Sequence, residues 1–192
     1  MAARAHLAAT ERPLQTPIGL GMVLFLISEA FLFGSLFIIY YYLRAYTATW
    51  PPAGVEPHFE TALANTVILL SSSATVSLAG RAIHKGSVAG LSGWLTVTIV
   101  LGTAFLAIKM YEWSSNAFGP ADHAYGSIYY TLTGFHALHV LIGLGFLGAL
   151  LMRTRAGRFS AQRFLAVELG ALYWHFVDAV WVLVFATIYL VR

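Results

Sequence analysis

Five stretches of this 192-residue chain stay apolar for longer than a water-soluble fold can hide. The first reads GLGMVLFLISEAFLFGSLFIIYYYL over residues 19–43, interrupted by one carboxylate. An α-helix needs about 20 such residues to cross a hydrocarbon core of ~30 Å, and it satisfies its own backbone groups on the way. The five runs, 17–44, 62–83, 88–112, 127–152 and 164–191, predict five spanning helices. They form one transmembrane domain over 17–192, preceded by a tail of residues 1–16 on the cytoplasmic side. The expected fold class is an all-α integral membrane protein, a five-transmembrane-helix bundle.

Composition supports the lipid solvent. Charged residues are 10% of the chain and hydrophobic ones 59%, whereas a soluble domain carries about 25% charged residues. There is no cysteine, which excludes disulfides, thiolate metal sites and thiol redox chemistry. The net charge of +3 is small and its basic residues lie in loops, so nucleic acid is not an expected partner. The start, MAARAHLAATERPLQTP, has no apolar run of signal-peptide length, and no cleaved targeting segment is expected.

Sidedness follows from charge. Arg4, Arg12, Arg81, Lys85, Arg153, Arg155, Arg158 and Arg163 sit on one side and only Arg44 and Arg192 on the other. The positive-inside rule therefore predicts the N-terminus inside and the C-terminus outside. Tyr40, Tyr41, Tyr42, Tyr46, Trp50, Trp113, Tyr129 and Tyr130 crowd the helix ends, as an interfacial aromatic belt does. The basic loop residue Arg153 is a candidate contact for anionic lipid headgroups.

Ionisable side chains at bilayer depth are costly and mark functional sites by default. Glu29 lies about twelve residues, or ~18 Å, into the first span. His136 and His139 in the fourth span, and His175 and Asp178 in the fifth, fall at a similar depth. His136, His139 and Gly143 share one helix face; Glu168, Ala171, His175 and Asp178 share another, by 3-4-3 spacing. Such faces turn toward protein, giving a buried polar layer. Lys109 and Glu112, three apart at the outer end of the third span, are a candidate ion pair.

The residues alone leave three readings open. His-x-x-His, His-x-x-Asp and a Glu match the ligand count of a metal or haem site in a helical bundle. Paired polar residues at this spacing also serve as interhelical hydrogen bonds needing no cofactor. The third reading is proton handling, because hydrocarbon penalises a charged carboxylate and a neutral acid beside histidine can join a relay.

Four segments then carry a resemblance: GMVLFLISEAFLFGSLF (21–37), WPPAGVEPHFE (50–60), YGSIYYTLTGFHALHVLIG (125–143) and LYWHFVDAVWVLVFATIYL (172–190). In this order, over about residues 18–191, the chain resembles subunit III of the haem–copper terminal oxidases in its five-helix bacterial form. The resemblance implies a subunit of a cytochrome-c oxidase that passes electrons to oxygen, makes water and pumps protons across a bacterial plasma membrane. Haem and copper then belong to subunits I and II, and this chain holds no cofactor and no catalytic centre. It packs chiefly on subunit I, supports proton uptake, slows turnover-dependent inactivation and binds phospholipid. Glu29 matches the family's carbodiimide-reactive glutamate, with one of His136 and His139 as its contact. Quinol oxidases, and a subunit accompanying nitric oxide reductase, share much of the pattern; Ser28-Glu29 leans toward the cytochrome c branch. From other classes stand a self-contained membrane metalloprotein and a proton-coupled transporter, though no inverted repeat is seen.

Overall fold

Three of the five helices begin at a side-chain cap. The structure, a computed structural model, describes residues 16–55, 57–157 and 164–191. Helix α1, Pro17–Ala45, starts with proline in the first turn and with Thr16 accepting a hydrogen bond from the Gly19 N–H at 3.0 Å, the arrangement that satisfies an open helix start. Helices α2 (Phe59–His84), α3 (Val88–Ser115) and α4 (Ala124–Arg155) follow, then α5 (Leu165–Phe185), which continues as a π-helical turn over Ala186–Leu190. Ser87 caps α3 through the Gly90 N–H at 3.1 Å, and the His123 ring caps α4 through the Gly126 N–H at 2.8 Å. Gly86, just past α2, has φ of +75° and Gly157, just past α4, φ of +67°, the left-handed stop that glycine alone adopts without strain. All five helices are long and apolar enough to cross a membrane, and no strand occurs among the described residues. They overrun the predicted runs by up to a turn: α2 starts at Phe59, α3 ends at Ser115 and α4 covers Ala124–Arg155.

Packing follows chain order from α2 to α4, and α5 is the central neighbour. It touches α1, α2 and α4, while α2 and α3 form the most intimate pair and α1 lies mainly against α4. On α1 the buried residues are Gly19, Leu26, Phe33 and Tyr40, seven apart. The half-buried Met22, Glu29, Leu36 and Leu43 fall between them. This is a 3-4 heptad seam, and it sets Glu29 toward the bundle by register alone. The opposite face exposes Ile18, Leu24, Phe31 and Ile38. Its hydroxyls, Ser28 and Ser35, donate to Phe25 O and Leu32 O at 2.7 Å, so that face has no unsatisfied group to show to lipid.

The core is built round two tryptophans. Trp174 and Trp181 are fully buried, and an indole N–H buried in hydrocarbon needs an acceptor. α2 supplies both: Trp174 Nε1 donates to Ser72 Oγ and Trp181 Nε1 to Thr66 Oγ1, each at 2.9 Å. Gly102 on α3 and Gly143 on α4 let the Trp174 ring lie flat, since a Cβ on either comes within 2.9 Å of it or less. One expectation needs correcting. Tyr40 and Tyr129 are 1% exposed; they lie inside the bundle end, not in an interfacial belt, because the loops fold back over them.

Candidate functional site

The polar side chains near the middle of the helices separate into distinct places according to which helices meet. Glu29 on α1 faces His139 on α4: Oε2 and Nε2 are 2.8 Å apart, with 18% of the glutamate side chain and 8% of the histidine exposed. His139 is oriented by its own helix. Its Nδ1 lies 2.7 Å from Phe135 O, and a carbonyl only accepts, so Nδ1 carries a hydrogen and donates it. The other nitrogen then meets the carboxyl with one hydrogen between them. Either the neutral acid donates to the imidazole, or the imidazolium donates to the carboxylate. A carboxylate facing the bare lone pair of Nε2 is repulsive, so both permitted forms hold one shared proton and no net charge. A neutral pair is the form hydrocarbon tolerates.

Aromatic rings collar this pair. Phe33, one turn beyond Glu29, meets the His139 ring edge-on at 5.0 Å; Phe25, one turn before it, stacks on Tyr173 at 6.4 Å. Tyr173 on α5 donates its hydroxyl to His139 O at 3.0 Å. Three helices thus fix one hydrogen bond, and its more exposed partner is the glutamate.

His136 does not join it. One turn away on α4 and 1% exposed, it points into the core, 4.9 Å from the Trp181 ring and 5.8 Å from Phe105. Neither of its nitrogens makes a hydrogen bond. His175 lies elsewhere again, between α5 and α2, with Nδ1 2.7 Å from Ser73 Oγ and Nε2 3.2 Å from Ser77 Oγ. Asp178 is 3% exposed, with Ser73 close by but outside hydrogen-bonding geometry. Glu168, on the same α5 face, reaches His84 of α2 at 3.1 Å. The α5 stripe is therefore spent along α2, and the α4 stripe is split between α1 and the core. Among the described residues no three His, Cys, Asp or Glu converge as metal ligands.

Lys109 and Glu112 lie 3.2 Å apart and are 1% and 2% exposed. The pair is sunk in the bundle and shared with Tyr129 and Tyr189. Those tyrosines, and the serines that hold His175, escaped sequence reasoning. The only signal for the serines is the hydroxyl-rich α2 itself, and for Tyr189 its helical spacing from Asp178. Arg153 is exposed at the end of α4. Arg4, Arg12, Arg158, Arg163 and Arg192, which enter the sidedness argument, lie outside the described residues, as does the tail before Thr16.

Comparison with known proteins is consistent along the whole chain. The family model for cytochrome c oxidase subunit III matches residues 3–191. A cytochrome c oxidase subunit 3 of Thermostichus vulcanus is 38% identical over 172 residues, 89% of this chain and 86% of that protein. One of Synechocystis sp. is 40% identical over 173 residues, covering 88% of this chain and 74% of the relative. One of Anopheles gambiae is 41% identical over 176 residues, covering 88% and 67%.

Proposed function

The chain belongs to the cytochrome c oxidase subunit III family, and from that membership we propose that it serves as the non-redox third subunit of a proton-pumping haem–copper oxygen reductase. It sits in a bacterial plasma membrane with its N-terminus inside. It packs on subunit I, with subunit II in the same complex, and leaves haem and copper to them. Its own contribution is a proton-loaded site and a lipid-holding surface that support proton uptake during turnover.

The observation that carries this reading is the Glu29–His139 hydrogen bond. A proton moves between Oε2 and Nε2 along one short contact, and no side chain has to turn. The pair is neutral before and after the move, so the step adds no charge to the hydrocarbon. The glutamate also keeps an exposed edge that Asp178 lacks. A lipid-soluble carbodiimide reaches it there. The acid proton passes to a carbodiimide nitrogen while the carboxyl oxygen bonds to the central carbon, giving an O-acylisourea.

Gentle purification of the tagged chain tests the assignment. Co-purification with two larger subunits, and a haem spectrum that follows those subunits and not this chain, is the expected result. A haem spectrum or stoichiometric metal on the isolated chain refutes it.

A further inference from the structure

The C-terminal ends of α3 and α5 and the start of α4 enclose a second buried cluster, which the Glu29 site does not use. Lys109 Nζ donates to Tyr189 Oη at 3.0 Å, Glu112 Oε1 at 3.2 Å and Tyr129 Oη at 3.3 Å. Both phenols in turn donate to that same carboxylate oxygen, Tyr129 at 2.8 Å. The ammonium also stands 5.1, 5.3 and 5.6 Å from the centres of the Tyr129, Trp181 and Tyr189 rings. All four polar residues are 2% exposed or less.

From this cluster a line of easily oxidised rings runs in two directions, to half-buried Trp113 one way and to exposed Tyr41 the other. One way leads from Tyr129 to Tyr130 (5.2 Å between centroids) and on to Trp113 (5.8 Å). The other runs from Tyr129 to Tyr125 (6.0 Å), Trp50 (5.1 Å), Tyr40 (5.3 Å) and Tyr41 (5.5 Å). Tyr41 is 44% exposed. Every ring is a tyrosine or tryptophan, and each touches the next.

We propose that this chain, from Trp113 through Tyr129 to Tyr41, conducts one-electron oxidising equivalents across the bundle to the protein surface. The oxidant class is the reactive oxygen species and high-valent metal–oxo centres that accompany incomplete oxygen reduction; that source, though not the conduction, rests on the oxidase reading. Tyr129 is the central station because it has a base. A phenol that loses an electron becomes a strong acid, and its hydrogen bond delivers the proton to Glu112. The step balances as phenol plus carboxylate giving phenoxyl radical plus carboxylic acid, with one electron passing to the oxidant. Lys109 opposes a cationic ring beside it, so electron and proton leave the phenol together. Protonating Glu112 removes the counter-ion of a buried ammonium, a costly state, so the hole is not stored: the Tyr129 phenoxyl takes an electron from the next ring and its proton back from Glu112.

The absence of native cysteine makes the test clean and independent of any partner. Ser114, exposed beside Trp113, is changed to cysteine and carries a ruthenium photo-oxidant, and the chain is placed in lipid nanodiscs. After illumination with a nitroso spin trap, peptide mass spectrometry reads radical adducts at Tyr41. We expect adduct at Tyr41 in this background and at least a severalfold loss in both Trp50→Phe and Tyr129→Phe. Glu112→Gln, made together with Lys109→Met to keep the site neutral, lowers it as well. Trp50→Phe lies in a loop outside the buried cluster, so it decides the matter if a cluster variant fails to fold. Tyr41 adduct unchanged in Trp50→Phe, or absent from the parent, overturns the proposal.

Discussion

Alanine replacement of Glu29 and His139, singly and together, isolates the one contact on which the site depends. Each single change strands the other partner at a helix interface, and His139→Ala also removes the edge-on packing of Phe33. The double mutant cycle subtracts those private costs and leaves the coupling. Interhelical hydrogen bonds within membranes average ~0.6 kcal/mol and reach ~1.7. A 2.8 Å contact sharing a proton belongs at the upper end, because charge-assisted bonds are about twice as strong as neutral ones. The expected coupling is about 1–2 kcal/mol, near a tenfold change in the folding constant. The matched cycle of Glu29 with His136 has no contact to lose and gives zero within about 0.3–0.5 kcal/mol. Detergent-induced unfolding of the chain in mixed micelles measures both. Coupling to His136 as large as that to His139, or none to either, refutes the assignment.

Three other outcomes follow from the packing. Gly143→Ala and Gly102→Ala press a methyl group into the Trp174 ring from two sides and each costs about 1–3 kcal/mol, whereas Gly34→Ala, with open space around it, is neutral or stabilises by up to about 1 kcal/mol; the same unfolding titration ranks them. Lys109→Met leaves the Glu112 carboxylate buried without its cation and costs about 3–5 kcal/mol, most of which returns in the Lys109→Met/Glu112→Gln double variant, read as the fraction surviving thermal aggregation. Arg153→Ala, at the exposed end of α4, lowers the anionic phospholipid retained by the purified complex; unchanged lipid content by mass spectrometry counts against a headgroup role.

The spans were legible because lipid imposes one rule, an apolar run of sufficient length, and each run satisfies it separately. The position of Glu29, His139 and His175 near the middle of their helices was legible for the same reason: residue count fixes it once the helix ends are known. Facing was not. His136 and His139 are three positions apart on one stripe, some 60° of rotation, and that arc spans the boundary between α1 and the core. Which histidine meets Glu29 depends on how α1 docks, and α1 docks by a heptad seam whose partner no local pattern names. Lys109 and Glu112 were visible as a pair, but the loops that cover them are long-range structure, so Tyr129 read as part of a membrane belt and Tyr189 was not singled out. The layer of five polar residues also read as one constellation; helix rotation makes it three places.

Carbodiimide labelling with peptide mapping tests the shared-proton site most directly. Membranes containing the intact complex are treated with dicyclohexylcarbodiimide, and every carboxyl of this chain is read by mass spectrometry. The predicted result is modification at Glu29 and none at Glu112 or Asp178, which the bundle seals from lipid. Labelling vanishes in Glu29→Gln while the complex stays assembled, because the glutamine amide donates to His139 Nε2 in place of the acid. Label on Glu112 or Asp178 in the native complex, or undiminished label in Glu29→Gln, contradicts a proton held between Glu29 and His139.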